Sequence, residues 1–419
     1  MTEKTTSERT TSGPLPAPLP VELDAAAEDN TIRPFHIDVP EEELVNLRRR
    51  IAATRWPEKE TVEDQSQGPR LATMQALARY WATEYDWRKC EARLKALPHF
   101  ITEIDGLDIH FIHVRSKHED ALPLMVLHGW PGSVIEQLKL IDPLTKPTEH
   151  GASAADAFHL VIPSMPGYGF SGKPTTTGWD QARIARAWAE LMKRLGYTRY
   201  AAQGGDWGAI INDVMATQGH PELIGFHTNL PNAIPPEINK AAAAGSPPPS
   251  GLSAEEERAY ETVVVLYKTI PTQFFMTAHP QALYGMADSP VGVAALLLDH
   301  DPVSLRLIAR AFDGEPTGLT RDDVLDNVTH YWLTNTTISA ARLYWEGFPK
   351  ADFGPKNISI PVAVSVFPDE QILVPRSWAE QAYPNLIHYN KLDKGGHFAA
   401  WEQPELLVEE VRTGLRSLR

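Results

Sequence analysis

One stretch limits what this chain can fold into more than any other: Tyr200-Ala-Ala-Gln-Gly-Gly-Asp-Trp-Gly-Ala-Ile210, an apolar run that breaks into glycines around a single carboxylate. A strand over residues 198–203 that turns sharply into a helix over 207–216 needs small residues on both sides of the turn, and Gly204, Gly205 and Gly208 supply them. Such an elbow holds its central side chain above the sheet edge on strained backbone. That side chain is usually a serine, but here it is Asp206, and no Gly-x-Ser-x-Gly occurs elsewhere. A carboxylate is ionised at pH 7 and attacks an sp3 carbon without a base, giving an alkyl ester. An isolated Gly-x-Asp-x-Gly can equally be an Asp capping a helix after a glycine turn. The remainder of the chain decides between the two.

Residues 1–31 are rich in Thr, Glu, Ser and Pro, and Pro14-Leu-Pro-Ala-Pro-Leu-Pro20 reads as an extended arm, disordered or draped on the surface. Residues 32–97 form an extension: a strand-like Phe35-His-Ile-Asp-Val39, a helix from Pro40 whose Leu44, Leu47 and Ile51 share a face, and a second helical stretch over 71–84. Residues 98–230 begin the core with two short strands joined at Asp105-Gly106, a two-residue hairpin signal. The apolar runs Leu122-Pro-Leu-Met-Val-Leu127 and Phe158-His-Leu-Val-Ile-Pro163 then read as strands buried on both faces of a parallel sheet, and a helix over 179–195 precedes the elbow strand. Residues 231–345 turn Pro/Ala/Gly-rich and then helical, as expected of a lid over the carboxyl edge of the sheet. Residues 346–419 return to strands (360–367 and 386–389) and close with an amphipathic helix over 404–418.

An elbow of this kind calls for an acid and then a histidine, each on a loop after a late strand. Phe367-Pro-Asp-Glu-Gln371 offers Asp369 and Glu370, and Lys394-Gly-Gly-His-Phe398 offers His397. Elbow, acid and histidine in this order imply the α/β-hydrolase fold with a helical lid and an N-terminal extension. His397 would take a proton from water while the acid holds its tautomer. His128-Gly-Trp-Pro131 follows the strand that supplies one oxyanion-hole amide in this fold and the residue after the nucleophile supplies the other, which makes these the N–H groups of Trp130 and Trp207. His128 itself reads as a structural loop histidine.

The chain resembles the epoxide hydrolases of the branch that includes the microsomal, juvenile-hormone and fungal enzymes, from about Ile32 to the C-terminus. The likeness rests on Thr54-Arg-Trp-Pro57, Tyr80-Trp, Tyr85-Asp-Trp-Arg88, His128-Gly-Trp-Pro-Gly-Ser133, Gly167-Tyr-Gly-Phe-Ser-Gly172, Gly204-Gly-Asp-Trp-Gly208, Asp288-Ser-Pro-Val-Gly292, Tyr331-Trp-Leu-Thr-Asn-Thr336, Arg342-Leu-Tyr-Trp-Glu346 and Gly395-Gly-His-Phe398. It implies opening of an epoxide to a vicinal diol through an ester on Asp206, with His397 as base, in detoxification or secondary metabolism and without metal or organic cofactor. It puts the orienting acid on Glu370, by the register before Val374-Pro-Arg-Ser-Trp378, with Asp369 second. It also puts a proton-donating lid phenol on Tyr344. The family's second phenol has no counterpart in Thr272-Gln-Phe-Phe-Met-Thr-Ala-His-Pro280, which leaves Tyr267 and Tyr284 as candidates.

The same residues are compatible with haloalkane or haloacid dehalogenation, in which Trp130 and Trp207 would hold halide, and fold alone also admits a non-catalytic ligand-binding member. Retention of Asp206, Glu370 and His397 speaks against the latter. A net charge of -15 argues against a nucleic-acid or anionic-membrane partner, either of which wants a basic patch, and fits a neutral or apolar small substrate, which the resemblance makes an epoxide, with water as the other reactant. Phe274, Phe275 and Trp345 suggest an apolar pocket, and the apolar helix faces of the extension are expected to brace the lid or contribute to a homodimer contact. Cys90 is the only cysteine, no apolar run approaches the roughly 18–20 residues of a membrane span, and the first thirty residues hold no signal-peptide core. These features give a cytoplasmic expectation.

Overall fold

The computed structural model describes residues 29–269, 271–315 and 318–419, together with the backbone but not the side chains of 269 and 271–274; the expected arm over 1–31 falls almost entirely outside them. Nine strands form one sheet: β1 (Arg33–Pro34), β2 (His99–Ile104), β3 (Leu107–Val114), β4 (Leu122–Leu127), β5 (Phe158–Pro163), β6 (Tyr200–Gly204), β7 (Leu223–Thr228), β8 (Val362–Val366) and β9 (Leu386–Lys391), in spatial order β1-β2-β3-β5-β4-β6-β7-β8-β9. β1, β2, β3 and β5 pair antiparallel, and the strands from β5 through β9 run parallel. The β2–β3 hairpin turns on Asp105 and Gly106, both left-handed at φ 52° and 74°, as a two-residue turn that matches strand twist requires.

Apolar residues alternate between two cores along the central strands. On β4, Leu124 and Val126 join one core and Met125 and Leu127 the other, so a continuous hydrophobic run is what a doubly covered strand demands. Leu140, Ile141, Val408 and Val411 close one face, while Ile184, Trp188 and Leu191 close the other.

The extension folds as α1 (Glu41–Ala52), α2 (Leu71–Thr83) and α3 (Trp87–Lys95). Its expected strand at 35–39 is not formed. Pairing stops at Pro34, since beyond the Phe35 N–H the chain leaves the sheet and the Val39 N–H bonds the Glu91 carboxylate at 2.8 Å instead. The core helices are α4 (Leu138–Thr145), α5 (Gln181–Arg194) and α6 (Asp206–Gln218). The lid comprises α7 (Pro236–Ala243), α8 (Ala254–Thr269), α9 (Pro271–Ala278), α10 (Pro290–Leu298), α11 (Pro302–Asp313), α12 (Arg321–Thr334) and α13 (Thr337–Gly347), and so ends slightly beyond the expected 345. After β8 come α14 (Arg376–Ala382), α15 (Ala399–Glu402) and α16 (Pro404–Gly414). Among the described residues no helix is long and apolar enough to cross a membrane.

The extension grips α12 through polar side-chain contacts, those of Trp81 and Tyr85 buried. Tyr80 Oη donates to Asp322 at 2.8 Å, Trp81 Nε1 to Thr329 Oγ1 at 2.9 Å and Tyr85 Oη to Asp326 at 2.7 Å, and Arg93 pairs with Asp326. From its opposite face α12 reaches the loop after β4: Asn327 Nδ2 donates to the Pro131 carbonyl and Tyr331 Oη to the Gly132 carbonyl, both at 2.8 Å.

Candidate active site

Four loops leave the carboxyl ends of parallel strands and converge. Asp206 follows β6 and opens α6 with φ 49°, in the left-handed region that non-glycine residues occupy only under constraint. Its surroundings impose this. A Cβ on Gly204 would lie 2.6 Å from the Gly208 carbonyl carbon, and one on Gly208 would lie 2.7 Å from Leu127 O. The elbow therefore packs backbone against backbone, and the strand-to-helix turn cannot relax.

One carboxylate oxygen of Asp206 accepts the Trp130 N–H at 2.8 Å, and the other lies 3.7 Å from His397 Nε2. His397 Nδ1 donates to Glu370 Oε1 at 2.7 Å, and that oxygen also takes the Gln371 N–H at 2.7 Å. Both Glu370 and His397 are buried. Asp369 is exposed and contributes backbone: its N–H donates to the Gly395 carbonyl at 3.1 Å, bridging the acid loop to the histidine loop. Of the two acids, the structure puts Glu370 on the imidazole.

Burial opposes charge on His397, but the carboxylates of Glu370, Asp206 and Asp301 outweigh it and hold the imidazole up at about 10. Neutralising Asp206 would remove one of those supports and bring His397 toward its neutral form. Burial pushes Glu136 up to about 8, so that this carboxyl, on the wall of the same cleft, stays largely protonated at neutral pH. The cleft is lined by Trp130, Glu136, Gln203, Asp206, Asn229 and His397.

Tyr344 on α13 is buried, its ring 5.1 Å from that of Trp207 and 6.3 Å from that of Trp130, both edge-on. Burial, then the charge of Asp206, holds its phenol well above the ordinary range, so it keeps its proton and can donate. Trp207 sits in the first turn of α6, where amide N–H groups lack helical acceptors. Among the described residues the Asp206 carboxylate accepts from Trp130 and not from the Trp207 amide. His128 is the hydrogen-bonded loop histidine expected: Nε2 accepts the Met165 N–H at 3.2 Å, Nδ1 faces the Gly129 carbonyl at 3.0 Å, and burial lowers it to about 4.

The candidates for a second lid phenol do not reach the site. Tyr267 is half exposed and donates to Asn239 Oδ1 at 2.6 Å, and Tyr284 is 67% exposed. Phe275 and Trp345 are also exposed and do not build the apolar pocket expected of them; the side chain of Phe274 lies outside the described residues. Two tyrosines not singled out from the sequence are brought in by the fold. Tyr168, in the Gly167-Tyr-Gly stretch, is fully buried with a hydroxyl that has no hydrogen-bond partner among the described residues, and burial, then the charge of Asp206, holds its phenol up. Tyr331, in another quoted stretch, packs edge-on against Trp130 at 5.4 Å. Asp206, His300 and His397 also turn one ligand-capable atom each toward a common point, all within 4.8 Å of one another.

Comparison with known proteins finds the same fold and relatives along most of the chain. A family model described as "Epoxide hydrolase N terminus" matches residues 32–137, and one described as "alpha/beta hydrolase fold" matches 123–224. A Stigmatella aurantiaca protein bearing the name "Putative epoxide hydrolase" is 48% identical over 93% of this chain and 86% of its own length. Epoxide hydrolase 1 of Sus scrofa is 34% identical over 93% of this chain and 89% of its own. The crystal structure of juvenile hormone epoxide hydrolase from the silkworm Bombyx mori superposes with a TM-score of 0.81 at 30% identity, covering 94% of this chain and 96% of that one.

Proposed function

The chain belongs to the epoxide hydrolase family, and from that premise we propose that it opens an apolar epoxide to a vicinal diol in two steps. An Asp206 oxygen attacks a ring carbon while the Tyr344 phenol donates to the oxygen whose C–O bond breaks, leaving an alkyl ester on Asp206. Water then adds to the ester carbonyl. His397 takes its proton, Glu370 stabilises the imidazolium, and the N–H groups of Trp130 and Trp207 receive the developing oxyanion before the diol leaves.

The observation that carries this reading is the polar run from the Trp130 amide through Asp206 to His397 and Glu370, with a protonated, buried Tyr344 beside it. The phenol favours epoxide over halide, since a leaving oxygen needs a proton donor and a halide does not. The net charge of -15 supports a small, uncharged substrate, and a single cysteine, buried at position 90, supports action in a reducing cytoplasm.

The test is one turnover of styrene oxide by excess enzyme in water enriched with heavy oxygen, followed by mass spectrometry of the diol and of the peptide containing Asp206. Ordinary oxygen in the first diol and label in the peptide are expected. Label passing directly into the diol would mean that water attacks the ring and that Asp206 is not the nucleophile.

A further inference from the structure

The lid brings a second imidazole against the nucleophile. His300, in the turn between α10 and α11, is buried, and its ring lies over that of His397 with centroids 4.5 Å apart and planes inclined by 30°. Its Nδ1 is 3.2 Å from Asp301 Oδ2, and the Gln371 amide nitrogen is 3.1 Å from the same ring atom and 3.4 Å from Nε2. Asp301 is itself fixed as the N-cap of α11, accepting the N–H groups of Val303 and Ser304 at 2.9 Å each. His300 is thus held by a carboxylate as His397 is held by Glu370, and two such pairs face one aspartate.

The spacing identifies what the cluster can hold. One ring nitrogen of each histidine and one Asp206 oxygen lie within 4.8 Å of one another, so a point equidistant from all three is up to about 2.8 Å from each, a hydrogen-bond length. A zinc–nitrogen bond is about 2.0–2.1 Å, so the triangle suits a water oxygen better than a metal ion.

We propose that His300, held by Asp301, is a second binder of the water that cleaves the Asp206 ester, a role that rests on the two-step reading above. With Nδ1–H given to Asp301, Nε2 carries the ring's acceptor lone pair, which the Gln371 amide nitrogen approaches only at 3.4 Å and a water hydrogen can take at shorter range. One water hydrogen goes to His397 Nε2 and is transferred there, while the other points to His300. The oxygen lone pair is thereby aimed at the Asp206 carbonyl carbon. The new C–O bond forms to give the oxyanion, which collapses as the ester C–O bond breaks, and the alkoxide takes the proton held on His397 and leaves as the diol.

Rapid quench of excess enzyme with styrene oxide, read by intact-protein mass, separates ester formation from ester hydrolysis. His300→Phe is expected to form the ester within about three-fold of the wild-type rate and to hydrolyse it about 10 to 100 times more slowly. In steady state kcat and KM should fall together, with kcat/KM nearly unchanged. His300→Gln, whose amide can still hold water, should recover part of the rate. Hydrolysis at the wild-type rate in His300→Phe, or equal losses in kcat and kcat/KM, would overturn the proposal. His397→Gln run alongside keeps the two readings apart. If its adduct persists while His300→Phe turns over normally, only the role of His300 fails; if neither variant nor wild type ever shows an adduct, the covalent route itself fails.

Discussion

Replacing Gly129 by alanine would test whether the nucleophile is held as described. A Cβ there would lie 2.1 Å from Asp206 Oδ1, 2.4 Å from its Cβ and 2.6 Å from its Cγ, whereas ordinary contacts begin near 3.4 Å. One of the two must move by more than an ångström. Asp206 has little room, because its φ of 49° is locked by the glycines of the elbow, so the displaced group is the carboxylate or the loop carrying the Trp130 N–H. Either movement breaks a charge-assisted hydrogen bond worth about 1.5–3 kcal/mol, and misplacing a reacting atom by 1 Å costs on the order of 10²-fold in rate. Gly129→Ala should therefore lower the ester-forming rate, and with it kcat/KM, by about 10² or more, with a stability loss of about 1–3 kcal/mol from overpacking. Gly285→Ala is the control, since a Cβ at that position meets nothing within 4 Å. Stopped-flow tryptophan fluorescence with styrene oxide, supported by adduct mass, gives the rate directly. A Gly129→Ala enzyme that remains folded and forms the ester within about three-fold of wild type would refute the constrained elbow.

Glu370→Gln should slow ester hydrolysis by about 10² to 10⁴ and let the adduct accumulate, while Asp369→Asn, exposed and bonded through backbone, should stay within about two-fold; the reverse ranking in quenched-flow assays would exchange their roles. Tyr344→Phe should cut the ester-forming rate by about 10 to 10², and Tyr267→Phe and Tyr284→Phe should leave kcat/KM unchanged, which steady-state assays of all three would settle. His397 is raised in the folded protein from 6.5 to about 10, so its contribution to stability is fully present below pH 6.5 and is lost as pH rises through about 10. Thermal melts of His397→Gln should accordingly fall less than those of the wild type between pH 7 and 10, and parallel curves would deny the ion pairing.

The elbow was legible because its demands are local: only glycines tolerate the backbone approaches at 204 and 208, and a carboxylate among them has few other uses. The hairpin was legible for the same reason, since Asp-Gly accepts two positive φ values. Strand β7 was missed because Gly225 interrupts Leu223-Ile-Gly-Phe-His-Thr228; the glycine is there so that Pro361 O can come within 2.7 Å of where a Cβ would stand, a contact from a distant segment. The candidates for a second lid phenol were misplaced for a related reason. Which face of a lid segment turns inward depends on its neighbours, α7 for the helix of Tyr267 and α13 for the segment of Tyr284, and nothing local to either tyrosine reports it. His300 gave no signal either, since Asp299-His-Asp301 reads as an ordinary helix-capping turn until the fold lays it over His397.

The grip of the extension on α12 bears on attempts to exchange substrate range between relatives. A lid transplanted by cutting at its two chain junctions would leave Asp322, Asp326 and Thr329 without Tyr80, Tyr85, Arg93 and Trp81, each stranded polar group costing about 1–3 kcal/mol. The unit of exchange is thus discontinuous in the gene: lid and extension have to travel together, or the graft has to stop short of α12 and leave that helix with the host.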